Sequence, residues 1–307
     1  MSGTDNLNDP DTTVGKAPKL FHCGTLTYTK MALVIVVIGL LWGDFCFVFM
    51  ETVVRFSVLP LKLKALGGPN WAMGLILTTI PAILNATICP FISFKSDRYR
   101  SRWGRRIPFI LWSLPFICAS LLLMGFSEEI RGFLQTHLPF LGQYAPATVT
   151  TVLIGIFMVM YSFFDQFVMS VFWCLFNDVI PPEVVGRVMG LVRLVSTLSG
   201  AVFNWFVFQY AQNHMREILI GTAILYLIAF GIVSLVAKEG EYLPIEREAT
   251  QNKQGLGWIR TFFQECFTNK FYWLVFSAGA FMAIGGAANM FNLFFLRQMQ
   301  LTDDQIG

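Results

Sequence analysis

Seven apolar stretches, each long enough to cross a bilayer, run through this chain at 31–54, 71–94, 107–126, 148–176, 184–210, 217–237 and 271–296. A hydrocarbon core of about 30 Å needs about 20 apolar residues in helical form, because a helix closes its own backbone hydrogen bonds where no water can. Pro81, Pro90, Pro115, Gly200, Gly285 and Gly286 fall inside these stretches, where spanning helices tolerate them. Composition closes the soluble route. Apolar residues make up 55% of the chain, 31 of them Phe, and charged residues 13%, against about 25% in an average soluble domain. So few charges cannot clothe so much apolar surface in water. A soluble enzyme, a nucleic-acid binder and a disordered chain are excluded, and an all-α polytopic membrane protein is expected.

The net charge of +3 says little; its placement says more. Fifteen of the 22 Lys and Arg fall on one side: Lys16, Lys19 and Lys30 before the first span, six from Lys95 to Arg106, Arg187, and five from Lys238 to Lys270. The opposite side holds Arg55, Lys62, Lys64, Arg131, Arg216 and Arg297, while Arg193 falls inside the fifth span. The positive-inside rule puts the N-terminus in the cytoplasm and, after seven spans, Gly307 outside. A seven-helix receptor would have the reverse orientation. Residues 1–29, with Asp5, Asp9 and Asp11, form a cytoplasmic polar tail and not a secretory signal. A six-helix bundle is expected over 30–237 and a polar connection at 127–147. A cytoplasmic central linker is expected over 238–269, with a seventh helix and the start of a second half over 270–307. The six cysteines show no metal-ligand spacing. Four of them lie in apolar runs and read as small core residues without disulfides.

The segment Ser96-Asp97-Arg98-Tyr99-Arg100-Ser101-Arg102-Trp103-Gly104-Arg105-Arg106-Ile107-Pro108-Phe109 resembles the loop between helices II and III of major facilitator superfamily transporters. Its form is that of the glycoside–pentoside–hexuronide:cation symporters and the sucrose–proton symporters. Asn177-Asp178-Val179-Ile180-Pro181-Pro182-Glu183, followed by Gly186-Arg187-Val188-Met189-Gly190, is similar to the same group's loop between helices IV and V. The resemblance covers about residues 30–307. It implies twelve helices in two six-helix halves with substrate between them near the midplane. By that measure the chain supplies the N-terminal half, the linker and one helix more. It stops at Thr302-Asp303-Asp304-Gln305-Ile306-Gly307, which resembles the cap of a next helix, so it reads as truncated after helix VII. The resemblance also implies a conformational latch at Asp97, Arg98, Gly104, Arg105 and Arg106.

Ionisable residues inside a bilayer are costly and mark function by default. Asp44 lies 14 residues after Lys30, and Asp165 lies 13 before Asp178. Both therefore sit about 20 Å from the cytoplasmic helix ends, at matching depth on helices I and IV. Arg193 on helix V reaches toward that level. Two carboxylates and one guanidinium leave one negative charge, which suits a proton or other cation together with a hydroxyl-rich substrate. The resemblance to melibiose-type permeases implies that Asp44, Tyr161, Asp165 and Arg193 bind the sugar, and Met169 replaces the family's stacking Trp. Asp44, Ser162 and Asp165 are the expected cation-coupling groups. In sodium-using relatives two helix II carboxylates help hold the ion; Asn85 and Cys89 stand there in this chain, which favours a proton over sodium.

Glu51 and Arg55 are four apart and read as a local ion pair at the outer end of helix I. Thr197, Gly200 and Asn204 continue the face of Arg193, and Gly285, Asn289 and Asn292 make a similar stripe on helix VII. Both serve equally as cavity lining or helix packing. His22, His137 and His214 fall in tails or outer loops. No HExxH, P-loop or GxSxG motif occurs, so neither cofactor nor metal is implied. The expected function is a proton-coupled sugar symporter in the inner (plasma) membrane. A lipid or small-solute carrier of the same fold and an intramembrane enzyme with Asp44 and Asp165 as an acid pair are the alternatives.

Overall fold

The computed structural model describes residues 20–211, 213–240, 268 and 270–286. Among them, six helical spans are long and apolar enough to cross a membrane: Lys30–Ala65, Asn70–Arg98, Ile107–Gly125, Pro146–Val179, Val185–Phe206 and Met215–Val236. They follow the first six apolar stretches closely, except that the first runs well past residue 54. The seventh is helical over its described part, Lys270–Gly286. Asn289, Asn292, the segment from Thr302 to Gly307, Lys16, Lys19, Cys266 and most of the 238–269 linker lie outside the described residues.

In chain order the helices are α1 Lys30–Glu51, α2 Val58–Ala65, α3 Asn70–Gly74, α4 Ile80–Arg98, α5 Ile107–Gly125, α6 Ser127–His137, α7 Pro146–Val179, α8 Val185–Phe206, α9 Met215–Val236 and α10 Lys270–Gly286. Thr29 caps α1, its hydroxyl accepting from the Ala32 N–H at 3.3 Å. The first span joins α1 to α2 and the second joins α3 to α4, each through a π-helical turn, Thr52–Ser57 and Leu75–Thr79. Proline accounts for both. Pro60 and Pro81 bring no N–H, and their rings crowd the carbonyls four residues back, those of Phe56 and Leu77. Both carbonyls lie in the π turns, where the helix widens instead of breaking.

The spans pack as a bundle, α1 against α8 and α9, α5 against α7 and α9, and α4 against α7. Met50, Leu59, Ile110, Leu121, Met158 and Phe203 are fully buried between them. Gly43 lets α1 and α9 approach closely: a β-carbon there would stand 2.6 Å from Val233 Cγ2 and 3.3 Å from a Phe172 ring carbon.

Two regions are more ordered than their composition suggested. The connection at 127–147 contains α6, whose first turn carries Glu128 and Glu129, the favourable charge for a helix N-terminus. Lys62 pairs with Glu128, and Arg216 with Glu129 at 2.9 Å. The hydrogen bond from Lys62 holds the Glu128 carboxyl below its ordinary range. Both pairs are exposed and contribute less than about 1 kcal/mol each. The end of the polar tail is a hairpin, β1 Phe21–Cys23 against β2 Leu26–Tyr28, turned at Gly24 with φ +57°. The Cys23 thiol donates to the Asp178 carbonyl at 3.2 Å, past the middle of the chain. Burial, and after it the Asp178 charge, pushes that thiol above its ordinary value and keeps it a donor.

Candidate functional site

Asp44 on α1 is 2% exposed although it carries a carboxylate. Ser196 of α8 donates its hydroxyl to Asp44 Oδ2 at 2.7 Å, and Ser199, one turn on, donates to the Phe45 carbonyl at 2.7 Å. Arg193, one turn before Ser196, interacts with the Asp44 charge while its own side chain is exposed. Thr197 and Asn204 are exposed on the same stripe of α8, and Gly200 between them borders open space. Among the described residues, that stripe is an accessible face.

Asp165 on α7 is also 2% exposed, but its partner is not Arg193. Arg55 Nη2 stands 3.4 Å from Asp165 Oδ2, and Arg55 Nη1 stands 3.3 Å from Glu51 Oε1. The Glu51–Arg55 pair expected from spacing is therefore present, yet Arg55 does not belong with the loop cations. The helix continues through the π turn that contains it, and its side chain is 20% exposed. The three charges that the sequence grouped divide between two clusters. Tyr161, Ser162 and Gln166 share the Asp165 face of α7 and are at most 1% exposed. The Tyr161 hydroxyl, Ser162 Oγ, Asp165 Oδ1, Gln166 Oε1 and the Tyr226 hydroxyl of α9 have no hydrogen-bond partner among the described residues. Each such atom costs about 1–3 kcal/mol when left alone. Five together are what a hydroxylated or cationic ligand, or water, would satisfy. On α4, Asn85 is exposed, and the Cys89 thiol donates to Ser170 Oγ at 3.4 Å, so that this wall carries no carboxylate at those two positions. No group of metal-ligating side chains occurs among the described residues.

A second polar centre sits at the end of the bundle where α1 begins. Asp97 Oδ1 pairs with Arg106 at 2.7 Å and more loosely with Arg105 at 3.8 Å. Asp178 Oδ2, at the end of α7, accepts from Arg105 Nη2 at 2.7 Å and from Arg106 Nε at 3.0 Å. Arg106, 4% exposed, also donates to Ser96 Oγ at 2.8 Å. Arg98, grouped with these by motif, instead lies over the Phe94 ring at 3.9 Å. Sequence reading missed Glu239, just beyond α9. Its carboxylate accepts the backbone N–H groups of Arg105, Arg106 and Ile107 at 2.8, 2.8 and 3.0 Å. These are the donors that the start of α5 leaves open, and a negative charge suits them. Gly104, at φ +101°, makes room: a β-carbon there would stand 2.6 Å from Glu239 Cδ. The cluster ties α4, α5 and α7 to the chain leaving α9.

A family model described as MFS/sugar transport protein matches residues 39–306. Sucrose transport protein SUT1 of Oryza sativa subsp. japonica is 40% identical over 48 residues, which are 16% of this chain and 9% of that protein. The protein of the same name from Oryza sativa subsp. indica gives the same match. The aligned segment thus spans less than a tenth of these curated relatives. No solved structure matches the chain.

Proposed function

Because the chain belongs to the MFS/sugar transport protein family, we propose that it carries a sugar across the membrane in symport with a proton. The observation that carries this reading is the pair of buried carboxylates, Asp44 and Asp165, each 2% exposed on a different helix of the bundle. Counted from the start of α1 and the end of α7, both lie about 20 Å into the membrane. Sugar hydroxyls donate to these carboxylates and accept from Tyr161 and Arg193. A proton on Asp44 or Asp165 removes a charge that the bilayer interior penalises, and Ser162 completes the coupling group. One proton moving through 100 mV supplies about 2.3 kcal/mol, enough for roughly fifty-fold accumulation of a neutral sugar. Two halves of the transporter would rock about this site, with 30–237 as one of them and 238–269 as the connecting linker. Asp97, Gly104, Arg105 and Arg106, now joined by Asp178 and Glu239, form the latch.

Melting of the purified chain against a panel of sugars that includes sucrose tests the site. A stabilising sugar is expected, and Asp44→Asn and Asp165→Asn should each weaken it at least about tenfold, one charged hydrogen bond being worth about 1.5–3 kcal/mol, while membrane insertion survives. A sugar effect that persists in both variants would remove the carboxylates from the site.

The charge bias of the loops supports a cytoplasmic location for the latch end in the plasma membrane, with α6 outside. A cysteine at the exposed Thr136 should react with a membrane-impermeant maleimide in intact cells. Reaction only after permeabilisation would reverse the topology.

A further inference from the structure

We propose that Arg55 is a resident cation at Asp165: its guanidinium fills the place of a metal ion, so the coupling site takes a proton and refuses sodium as long as Arg55 is present. The inference rests on the reading of Asp165 as a coupling carboxylate and adds the residue that sets its ion selectivity.

The geometry is specific. Arg55 is held from behind by Glu51 at 3.3 Å and faces Asp165 at 3.4 Å. Among the described residues, the charged groups at this point are Glu51, Arg55 and Asp165; the Tyr161 hydroxyl senses all three, and the Tyr226 hydroxyl senses Asp165. With both carboxylates ionised and both phenols neutral, the set sums to one negative charge, which one monovalent cation would balance. A hard metal ion is held by about six oxygens. Asp165 offers it one, Oδ1, because Oδ2 already faces the guanidinium, whose full positive charge repels a second cation nearby. A proton needs only that one oxygen. Taken from a hydronium ion, whose O–H bond breaks to leave water, it forms one O–H bond at Asp165 Oδ1 and neutralises the carboxylate. Without Arg55, two carboxylates would stand beside the oxygens of Tyr161, Ser162 and Gln166, which have no partner among the described residues, an anionic, oxygen-rich setting of the kind hard cations occupy.

The experiment needs no sugar. The purified full chain is melted in detergent in sodium chloride and in choline chloride at equal ionic strength and fixed pH. The wild type should melt alike in both. Arg55→Gln should gain a sodium-specific stabilisation, with the folded-to-unfolded ratio raised about elevenfold at a concentration ten times the Kd. Adding Asp165→Asn should abolish that gain. A sodium-specific rise in the wild type that Asp165→Asn removes would overturn the proposal, as would a folded Arg55→Gln with no gain. Should Arg55→Gln fail to fold, Arg55→Gln/Asp165→Asn, which deletes both charges, must restore the folded yield; failure to restore it overturns Arg55 as the counter-charge. Loss of sugar-dependent stabilisation, by contrast, would sink the symport reading and leave this ion measurement standing.

Discussion

Arg106→Ala should destabilise the protein by about 3–5 kcal/mol, the range for deleting one partner of a buried ion pair. Arg106 is 4% exposed and serves three acceptors at once, Asp97, Asp178 and Ser96. The Asp97 arm matters least, because that carboxylate is half exposed and water can replace its partner. The weight falls on Asp178 and Ser96, which the guanidinium fork reaches from different nitrogens. Arg106→Lys keeps the charge but offers a point in place of a fork, so it should recover only a minor part of the loss. Thermal unfolding of the solubilised chain measures both. A loss below about 1 kcal/mol for Arg106→Ala would mean that Arg105, which also pairs with Asp178 and Asp97, takes over the whole cluster.

Gly104→Ala is the second large effect, about 3 kcal/mol from two sources. A side chain at positive φ costs about 1–2 kcal/mol, and the added carbon would displace Glu239, which lies 2.6 Å from it. The three backbone N–H groups at the start of α5 would then lose their acceptor. Glu239→Ala removes the same hydrogen bonds without the backbone strain and should cost about 2 kcal/mol, at the upper end for a lost helix cap. Since both variants act on one set of bonds, the double variant should be little worse than Gly104→Ala alone. A double-mutant cycle would show a coupling of about 1–2 kcal/mol. Strict additivity would mean that Gly104 and Glu239 stabilise the structure independently.

The spans and the buried carboxylates were legible because both follow from the bilayer itself. Apolar length marks the helices, and an aspartate inside such a length, like Asp44 or Asp165, stands out against it. Arg55 did not stand out. It sits near Lys62 and Lys64, close to where a 20-residue span would end, and nothing local announces that the helix runs on to Ala65 through a π turn. Pro60 was the available clue, although a proline there reads equally well as a stop. The amphipathic spacing of Ile130, Phe133 and Leu134 is the local signal of α6 in the 127–147 connection, a short one within a polar stretch. Glu239 carried no local signal. Its partners lie up to 134 residues earlier, and a carboxylate capping a remote helix is a tertiary fact that no periodicity records.

The hairpin at Phe21–Tyr28 has a bearing on how the protein is made. Its thiol rests on the end of α7, and its Thr25 hydroxyl lies 2.6 Å from where a β-carbon on Gly240 would stand. Neither surface exists when the hairpin leaves the ribosome. At about 5–20 residues per second, the chain from Tyr28 to Gly240 takes roughly 10–40 s to synthesise. The hairpin is thus translated well before the surfaces that seat it. Once seated, it fastens the chain ahead of α1 to the end of α7 and to the chain leaving the sixth span.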